Sequence, residues 1–293
     1  MSTTPEGDRI AKVMARAGLC SRREAEAWIV EGRVKVNGQK ITSPALNVTE
    51  RDDIRVDGKP LPDKEKIRLW RYHKPRGLLT TARDPQGRPT VFEKLPKELP
   101  RVVSVGRLDL NSEGLLLLTN DGELARRLEL PATGWVRRYR VRVNGTVEVA
   151  HLNELRKGIT VEGIRYGSVQ ASLDRQQGDN AWLTMALTEG KNREIRKLCG
   201  HFGWAVSRLI RISYGPFQLG SLESGLVEEV KGKVLKDQLG IETPKDKPQA
   251  REKPAERKPT ERPKILGQLK LKPKPEQKPK AARKPNADRR RKS

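Results

Sequence analysis

The sequence predicts an α+β fold in two folded modules, followed by a disordered basic tail. Residues 1–66 combine amphipathic helical spacing with short strands, and residues 67–240 alternate short strands with loops and a few helices. Residues 241–293 contain nine prolines and no aromatic residue, so they bury too little apolar area to offset the entropy of ordering. We therefore expect three regions, with a mixed, mainly antiparallel sheet and flanking helices in the second.

The charge of the chain indicates a polyanionic partner. Its 293 residues include 61 Lys or Arg and 37 Asp or Glu, a net charge of +24. The tail holds 19 of the basic and 7 of the acidic residues, so it is either a solubilising segment or an arm that contacts RNA. The leucine run at residues 115–118 is far shorter than the ~20 apolar residues of a membrane helix. We expect no membrane partner.

The cysteines and the N-terminus bear on location and metal binding. The two cysteines, Cys20 and Cys199, lie far apart and form no CxxC pair, which argues against a zinc site or a disulfide framework. The first residues lack the basic and apolar regions of a signal peptide. We expect a monomer in a reducing cytoplasm.

The first module contains two predicted helices and a few strands. Apolar residues at i, i+3, i+4 and i+7 predict a helix over residues 9–17. Ser21 caps a second helix, with Glu24 three residues later in the capping-box position. Residues 33–36 and 53–56 are predicted strands, and an Asn-Gly pair after the first indicates a hairpin turn.

Basic residues gather on and after the second helix, at Arg22, Arg23, Arg33 and Lys35. Basic residues at a helix start oppose the macrodipole, so they suit a phosphate-binding surface better than stability, although an ordinary solvated face is the alternative. The run LCSRREAEAWIVEGRVKVNGQKI resembles the S4 RNA-binding module in its helix cap, arginines, glycines and NG turn. The resemblance implies binding of structured RNA through these residues.

The second module has the pattern of a mixed α+β domain. Residues 69–72, 138–143 and 181–187 are predicted strands, and residues 152–157 and 192–201 are predicted helices. A polar stretch at residues 61–68 is the predicted linker. No GxGxxG or Walker pattern is present, so we expect no nucleotide cofactor.

An acidic residue stands in a basic loop at residues 105–122. Arg107 and Asp109 lead into four leucines and a second turn. A carboxylate in a phosphate-binding groove weakens binding, so Asp109 serves either chemistry or a structural pair with Arg107. The loop begins like a calcium-binding EF-hand, but its twelfth position is Asn120 instead of the required Glu. The three histidines are dispersed, and we expect no metal site.

Four sequence blocks resemble the pseudouridine synthase family, in the branch that modifies ribosomal RNA and most closely its large-subunit enzymes. They are KPRG at residues 74–77, GRLDLNSEGLLLLTNDG at 106–122, RYRV at 138–141 and EGKNREIRKL at 189–198, in the order found in the family. The resemblance covers residues 67–240. It implies that the chain isomerises a uridine within ribosomal RNA, most closely the 23S RNA of the large subunit. The substrate would be this RNA or a ribosome assembly intermediate, and the reaction would need no cofactor.

The resemblance also implies roles for residues at matching positions. Asp109 would be the catalytic carboxylate, Arg196 its ion-pair partner and Tyr139 the ring that stacks on the extruded base. Arg193 lies three residues before Arg196 on the predicted helix, so either could pair with Asp109. The remaining implied substrate contacts are Ile195 as an apolar wall, Arg107 as an RNA contact and Lys191 as a phosphate contact.

Two alternative functions remain at this stage. The first is a non-catalytic RNA-binding or ribosome-assembly protein, which would be expected to have lost Asp109, Tyr139 or Arg196. The second is a glycosylase that releases the base. It would need a second carboxylate to activate water, and the sequence places none there.

Overall fold

The computed structural model describes residues 7–63 and 65–241. Except for residue 241, the predicted disordered tail lies outside the described residues. The helices are α1 (Ile10–Arg16), α2 (Arg22–Val30), α3 (Gly122–Glu129), α4 (Val149–Lys157), α5 (Glu194–His201) and α6 (Gly232–Leu239). The strands are β1 (Asp8–Arg9), β2 (Val34–Val36), β3 (Gln39–Lys40), β4 (Asn47–Val48), β5 (Ile54–Val56), β6 (Lys59–Pro60), β7 (Leu69–Lys74), β8 (Val103–Val105), β9 (Glu113–Thr119), β10 (Arg137–Asn144), β11 (Thr160–Val161), β12 (Ile164–Arg165), β13 (Gln170–Gln177), β14 (Asn180–Leu187), β15 (Ala205–Tyr214), β16 (Phe217–Gln218) and β17 (Val227–Glu229). The α+β prediction is confirmed.

The N-terminal module forms around the predicted helix pair. Ser21 Oγ accepts the Glu24 amide at 3.1 Å, and the Glu24 carboxylate accepts the Ser21 amide at 2.7 Å, so the predicted capping box is present. A four-stranded antiparallel sheet, in the order β3-β2-β5-β6, packs beside the helices. Asn37 and Gly38 both have positive φ, as a two-residue hairpin turn requires. The core consists of apolar side chains such as Ile10, Met14 and Ile29.

A mixed sheet forms the scaffold of the second module. Its main path runs β13-β14-β10-β15-β9-β7-β17, with β16 paired to β15 and β8 paired to β9. All these pairs are antiparallel except β15 with β9. Gly114 makes that parallel pairing possible, because a Cβ there would lie 2.4 Å from the Arg211 carbonyl oxygen, and φ at Gly114 is +102°.

The leucines of β9 are buried on both faces of the sheet. Leu116 and Leu118 pack in one hydrophobic cluster with side chains of α4 and α5. Leu115 and Leu117 point to the other face and pack with side chains of α3 and α6. Because strand residues alternate between faces, four successive leucines identify a strand covered on both sides. That strand directly follows the loop containing Asp109.

Two helices were not predicted, and the starts of three others differ from the prediction: α1 begins at Ile10 instead of residue 9, α4 at Val149 instead of residue 152, and α5 later than predicted. The turn expected at Asn120-Asp121-Gly122 is the start of α3, where the Asp121 carboxylate accepts the amides of Glu123 and Leu124 at 2.9 and 2.7 Å. Helix α6 was also missed. Helix α5 begins at Glu194 instead of residue 192. Within residues 7–63 and 65–241, no helix has the length and apolarity to cross a membrane.

Candidate active site

The loop between β8 and β9, residues 106–112, carries Asp109, and a buried lysine donates hydrogen bonds to its backbone. Lys74, at the end of β7, is fully buried. Its Nζ donates to the carbonyl oxygens of Pro75 at 3.0 Å, Asp109 at 3.1 Å and Ser112 at 2.9 Å. One ammonium group thus ties the KPRG turn to the loop of Asp109. Burial lowers the pKa of Lys74 to about 8.

Backbone and hydroxyl contacts fix the same loop at two more points. The Gly77 amide donates to the Leu110 carbonyl oxygen at 2.8 Å. Thr80 Oγ1 donates to the Leu108 carbonyl oxygen at 2.9 Å and accepts the Leu108 amide at 3.3 Å. Sequence reasoning matched the KPRG turn to a family block but assigned Lys74 no role. The signal available was the alternation of the strand, which puts Lys74 on the same face as Trp70 and Tyr72.

Asp109 is paired with Arg193, and the prediction that Arg196 would be its partner is corrected. Arg193 Nη1 lies 3.8 Å from Asp109 Oδ2, with the two side chains 51% and 34% exposed. Arg196 instead donates to the carbonyl oxygens of Asn111 at 3.0 Å and Val206 at 3.3 Å. Arg193 is not in the helix; it precedes it in the left-handed region, at φ 51° and ψ 30°. That conformation separates the two guanidinium groups.

Arg196 holds the loop through its backbone. Its contact with Asn111 joins α5 to the segment immediately after Asp109. Desolvation lowers the pKa of Arg196, and its Nε has no hydrogen-bond partner among the described residues. The positive charge of Arg196 acts on Asp109 without a direct ion pair. The structural pair considered for Arg107 and Asp109 is absent from the described ion pairs, so Asp109 is not neutralised by Arg107.

Tyr139 and Ile195 lie in the cluster that underlies the loop. Along β10, Tyr139 and its i+2 neighbours are buried, while the intervening arginines are exposed. Tyr139 is 9% exposed and Ile195 5%, and both belong to the same cluster as Leu108, next to Asp109. Within the described residues the Tyr139 hydroxyl has no hydrogen-bond partner. The cluster that includes Leu108 therefore places apolar side chains and the Tyr139 ring beneath the loop of Asp109.

Lys191 and Arg107 differ in how far they are already engaged. Lys191 Nζ donates to the Arg165 carbonyl oxygen and to the Glu189 carboxylate, both at 2.7 Å. It is therefore held by neighbouring protein groups and would have to exchange them to bind a phosphate. Arg107 is exposed and forms no ion pair in the described part of the chain. Of the two, Arg107 is the cation available to a ligand.

Comparison with known proteins identifies the family. The profile described as RNA pseudouridylate synthase matches residues 68–201. An uncharacterised RNA pseudouridine synthase of Rickettsia prowazekii is 48% identical over 231 residues, covering 79% of this chain and 97% of the relative. The chain belongs to the RNA pseudouridine synthase family. It is therefore an enzyme, an isomerase with an RNA substrate.

Further similarities agree with this assignment. The S4 domain profile matches residues 8–54 of the pseudouridine synthase, which confirms the S4 resemblance. A ribosomal large subunit pseudouridine synthase B of Yersinia pestis is 45% identical over 219 residues, covering 73% of this chain and 69% of the relative. The crystal structure of a pseudouridylate synthase superimposes with a TM-score of 0.55 at 25% identity, covering 78% of this chain and 98% of that one.

Other titratable groups near the synthase site do not form a second reactive centre. Cys199 is fully buried, and burial raises the pKa of its thiol to about 12, so it belongs to the core. Glu194 is 4% exposed, accepts the Lys191 amide at 2.9 Å, and has its pKa raised by burial. No group of three or more His, Cys, Asp or Glu in the described ranges could hold a metal ion.

The four basic residues predicted to bind RNA fall into two groups. Arg22 and Arg23 line a cleft together with Arg107. Arg33 is engaged within the module, since it contacts the Asp57 carboxylate at 3.0 and 2.6 Å and stacks over Trp28 at 4.6 Å from the ring centre. Lys35 is exposed on β2 but does not line the cleft.

Proposed function

We propose that this synthase converts a specific uridine to pseudouridine in the 23S RNA of the large ribosomal subunit. The observation that carries the proposal is the position of Asp109. Its carboxylate sits on a loop fixed by Lys74, next to a cluster that contains Tyr139 and Ile195. The large-subunit target is supported by the 45% identity to the Yersinia pestis relative with that name.

The reaction is an isomerisation and its atoms balance without a co-reactant. The C1′–N1 bond breaks, the uracil turns, and a C1′–C5 bond forms. The proton on C5 leaves and N1 gains one. Breaking the glycosidic bond develops positive charge at C1′, which a nearby carboxylate can stabilise or add to, and the same group can accept a proton. All three are open to Asp109 under this proposal.

The surrounding residues complete the proposed site. Tyr139 stacks on the extruded base and is able to relay a proton through its unpartnered hydroxyl. Ile195 excludes water from the reacting carbon, which suppresses hydrolysis to an abasic site. Arg107 contacts the RNA from which the nucleotide has turned out. Arg193 and Arg196 place positive charge beside the loop of Asp109. Arg193 pairs with Asp109 at 3.8 Å, and Arg196 donates to the Asn111 carbonyl oxygen.

The three regions of the chain take separate tasks in this proposal. Residues 1–66 bind structured RNA, mainly through Arg22 and Arg23, and residues 67–240 perform the chemistry. Residues 241–293, with 19 basic and 7 acidic side chains, attract phosphates without reading sequence. The substrate is ribosomal RNA or an assembly intermediate that contains it, and the synthase acts as a monomer.

Mapping pseudouridine in ribosomal RNA tests the proposal. Cells that lack this chain should lose pseudouridine at one or a few positions of the large-subunit RNA, and wild-type protein should restore it. Asp109→Asn should not restore it. A loss confined to small-subunit RNA would overturn the proposed target. Restoration by Asp109→Asn would instead favour a protein whose binding, and not its chemistry, promotes modification or assembly.

A further inference from the structure

A basic cleft runs between the S4 module and the catalytic module. Its volume is about 2010 Å³, and its lining includes eleven Lys or Arg against five Asp or Glu. Arg22 and Arg23 come from α2 of the S4 module, and Arg83, Arg101 and Arg107 come from loops of the catalytic module. The excess of positive charge is therefore contributed by both walls.

The five arginines are not neutralised by the protein. In the described ranges none of them forms an ion pair within 4.0 Å, in contrast to Arg33, which is paired with Asp57. The pKa of Glu24 on α2 is lowered mainly by its hydrogen bonds with Ser21, and further by the charges of Arg101 and Arg83. Arginines of the catalytic module thus act on the first turn of the S4 helix. Positive charges without ion-pair partners that line one cleft repel one another and favour binding of an anion.

An ion-pair network joins the two walls of the cleft. Glu123, in the first turn of α3, pairs with Lys12 of α1 and with Arg16 at 2.7 Å. Asp8 pairs with the same two cations, at 2.7 Å to Lys12 and 3.1 Å to Arg16. Lys12 and Arg16 are 28% and 20% exposed, while Asp8 is 38% and Glu123 56% exposed, so salt reaches the acidic side of this network more than the basic side.

We infer that Arg22, Arg23, Arg83, Arg101 and Arg107 form one composite site for the sugar–phosphate backbone of the RNA, and that Glu123 aligns its two walls by pairing with Lys12 and Arg16. Glu123 is then a positioning residue for binding, although it carries the wrong sign for contact with RNA. Rigid alignment raises affinity because the two walls need not be ordered during binding. The inference rests on the proposed function only for the choice of ribosomal RNA as the probe.

Glu123→Ala tests the inference, because two explanations predict opposite signs. If Glu123 acts only through its charge, its removal from a basic cleft tightens RNA binding. If it aligns the walls, its removal weakens binding. Each phosphate that the protein no longer neutralises makes the negative slope of log K against log salt shallower by about 0.7–0.9. If the variants bind equally at 1 M salt, this corresponds to a loss of affinity of about 5- to 8-fold at 0.1 M salt. If Arg22 and Arg23 no longer reach the RNA, binding at 0.1 M salt should weaken about 25- to 60-fold.

The matched control is Glu98→Ala. Glu98 is exposed and lies between two residues that line the cleft, Lys97 and Leu99, and it forms no ion pair in the described part of the chain. This variant should bind RNA as tightly as the wild type, or more tightly. Binding is measured on the full chain with a transcript of large-subunit ribosomal RNA, across a salt series. Glu123→Ala binding as tightly as Glu98→Ala would overturn the inference.

A double-mutant cycle separates alignment from a folding defect. Arg22→Ala with Arg23→Ala should weaken binding in the wild type and have little further effect on Glu123→Ala, because the S4 wall is already released. Additive effects would overturn the inference. At saturating RNA, Glu123→Ala should turn over within about twofold of the wild type, which shows a folded catalytic module. If the wild type binds this RNA without modifying it, the proposed target fails while the binding cycle still decides the alignment.

Discussion

Replacing Lys74 by methionine removes one buried ammonium group and keeps an unbranched side chain. Three carbonyl oxygens, of Pro75, Asp109 and Ser112, then lose a donor that lies within 3.1 Å. The Asp109 oxygen keeps the Ser112 amide as a donor at 3.0 Å, so two acceptors lose their donor, at about 1–3 kcal/mol each, or roughly 2–6 kcal/mol in all. The variant also avoids the free-energy cost of burying a charge. The fall in the pKa of Lys74 from 10.5 to about 8 corresponds to a cost of about 3 kcal/mol. The net loss in unfolding free energy is about 1 kcal/mol, within a range of about −1 to 3 kcal/mol.

The pH dependence of that difference has a defined sign. The pKa of Lys74 is lower in the folded protein, at about 8, than its ordinary value of 10.5. Between these values the unfolded chain binds more protons, so the stability of the wild type relative to Lys74→Met rises with pH by up to about 1.4 kcal/mol per unit. Below pH 8 both states of the wild type are protonated, and the difference is constant.

Urea unfolding between pH 6 and pH 10 measures these differences, with the exposed Lys157→Met as the control. Lys157→Met should match the wild type in stability and turnover. In Lys74→Met the kcat should fall at least tenfold with little change in KM, because a loop shifted by about 1 Å misplaces the carboxylate. Equal turnover in Lys74→Met and Lys157→Met would show that Lys74 does not position the loop of Asp109. A stability difference that narrows above pH 8 would refute the assignment of a lowered pKa.

Three further predictions follow from the contacts of the arginines and from the composition of the tail. Arg22→Ala with Arg23→Ala should raise KM with a smaller effect on kcat, whereas Arg33→Ala should change KM little because Asp57 already neutralises it. Steady-state assays compare the variants, and equal effects on KM would contradict the assignment of Arg22 and Arg23 as the main RNA contacts of the S4 module. Arg196→Gln should lower kcat more than Arg193→Gln, because Arg196 is the more buried and donates to the Asn111 carbonyl oxygen, while the 3.8 Å pair of Arg193 with Asp109 is half-exposed. Single-turnover rates of the two variants measure the difference, and a slower rate for Arg193→Gln would mean that the Arg193 pair matters more. Removing residues 242–293 should flatten the salt dependence of RNA binding by about 0.7–0.9 for each phosphate that the tail neutralises and leave the modified uridine unchanged, and a changed target would mean that the tail recognises sequence.

Local patterns predicted those elements whose signals are unambiguous. The Ser21 and Glu24 capping box and the Asn37-Gly38 turn depend on hydrogen bonds and φ angles within a few residues, and the structure has both. The start of α3 was missed because Asp121 can bond to nearby amides in a turn as well as at a helix N-cap. The residues around Asp121 do not distinguish the two. Packing of Leu124 and Leu128 against β9 favours the helix.

In the candidate site, residue types and spacing were not sufficient to predict which side chains contact one another. Sequence matching assigned Asp109, Tyr139 and Ile195 to one site, and Tyr139 and Ile195 share a buried cluster with Leu108, the neighbour of Asp109. It favoured Arg196 over Arg193 as the partner of Asp109, although a helix beginning at residue 192 would put both arginines on one face. The left-handed conformation of Arg193 decides which of them reaches Asp109. Lys74 went unassigned because, in a chain with 61 basic residues, one buried lysine cannot be told from the others by composition.

The most direct test of the proposed chemistry is Asp109→Asn, assayed for single-turnover isomerisation and for RNA binding on the same ribosomal RNA transcript. The substitution keeps the shape of the side chain and removes its charge. The proposal predicts no detectable pseudouridine, with an affinity equal to that of the wild type or slightly higher because a negative charge has left the groove. Substantial pseudouridine formation by Asp109→Asn would contradict the assignment of Asp109 as the catalytic carboxylate.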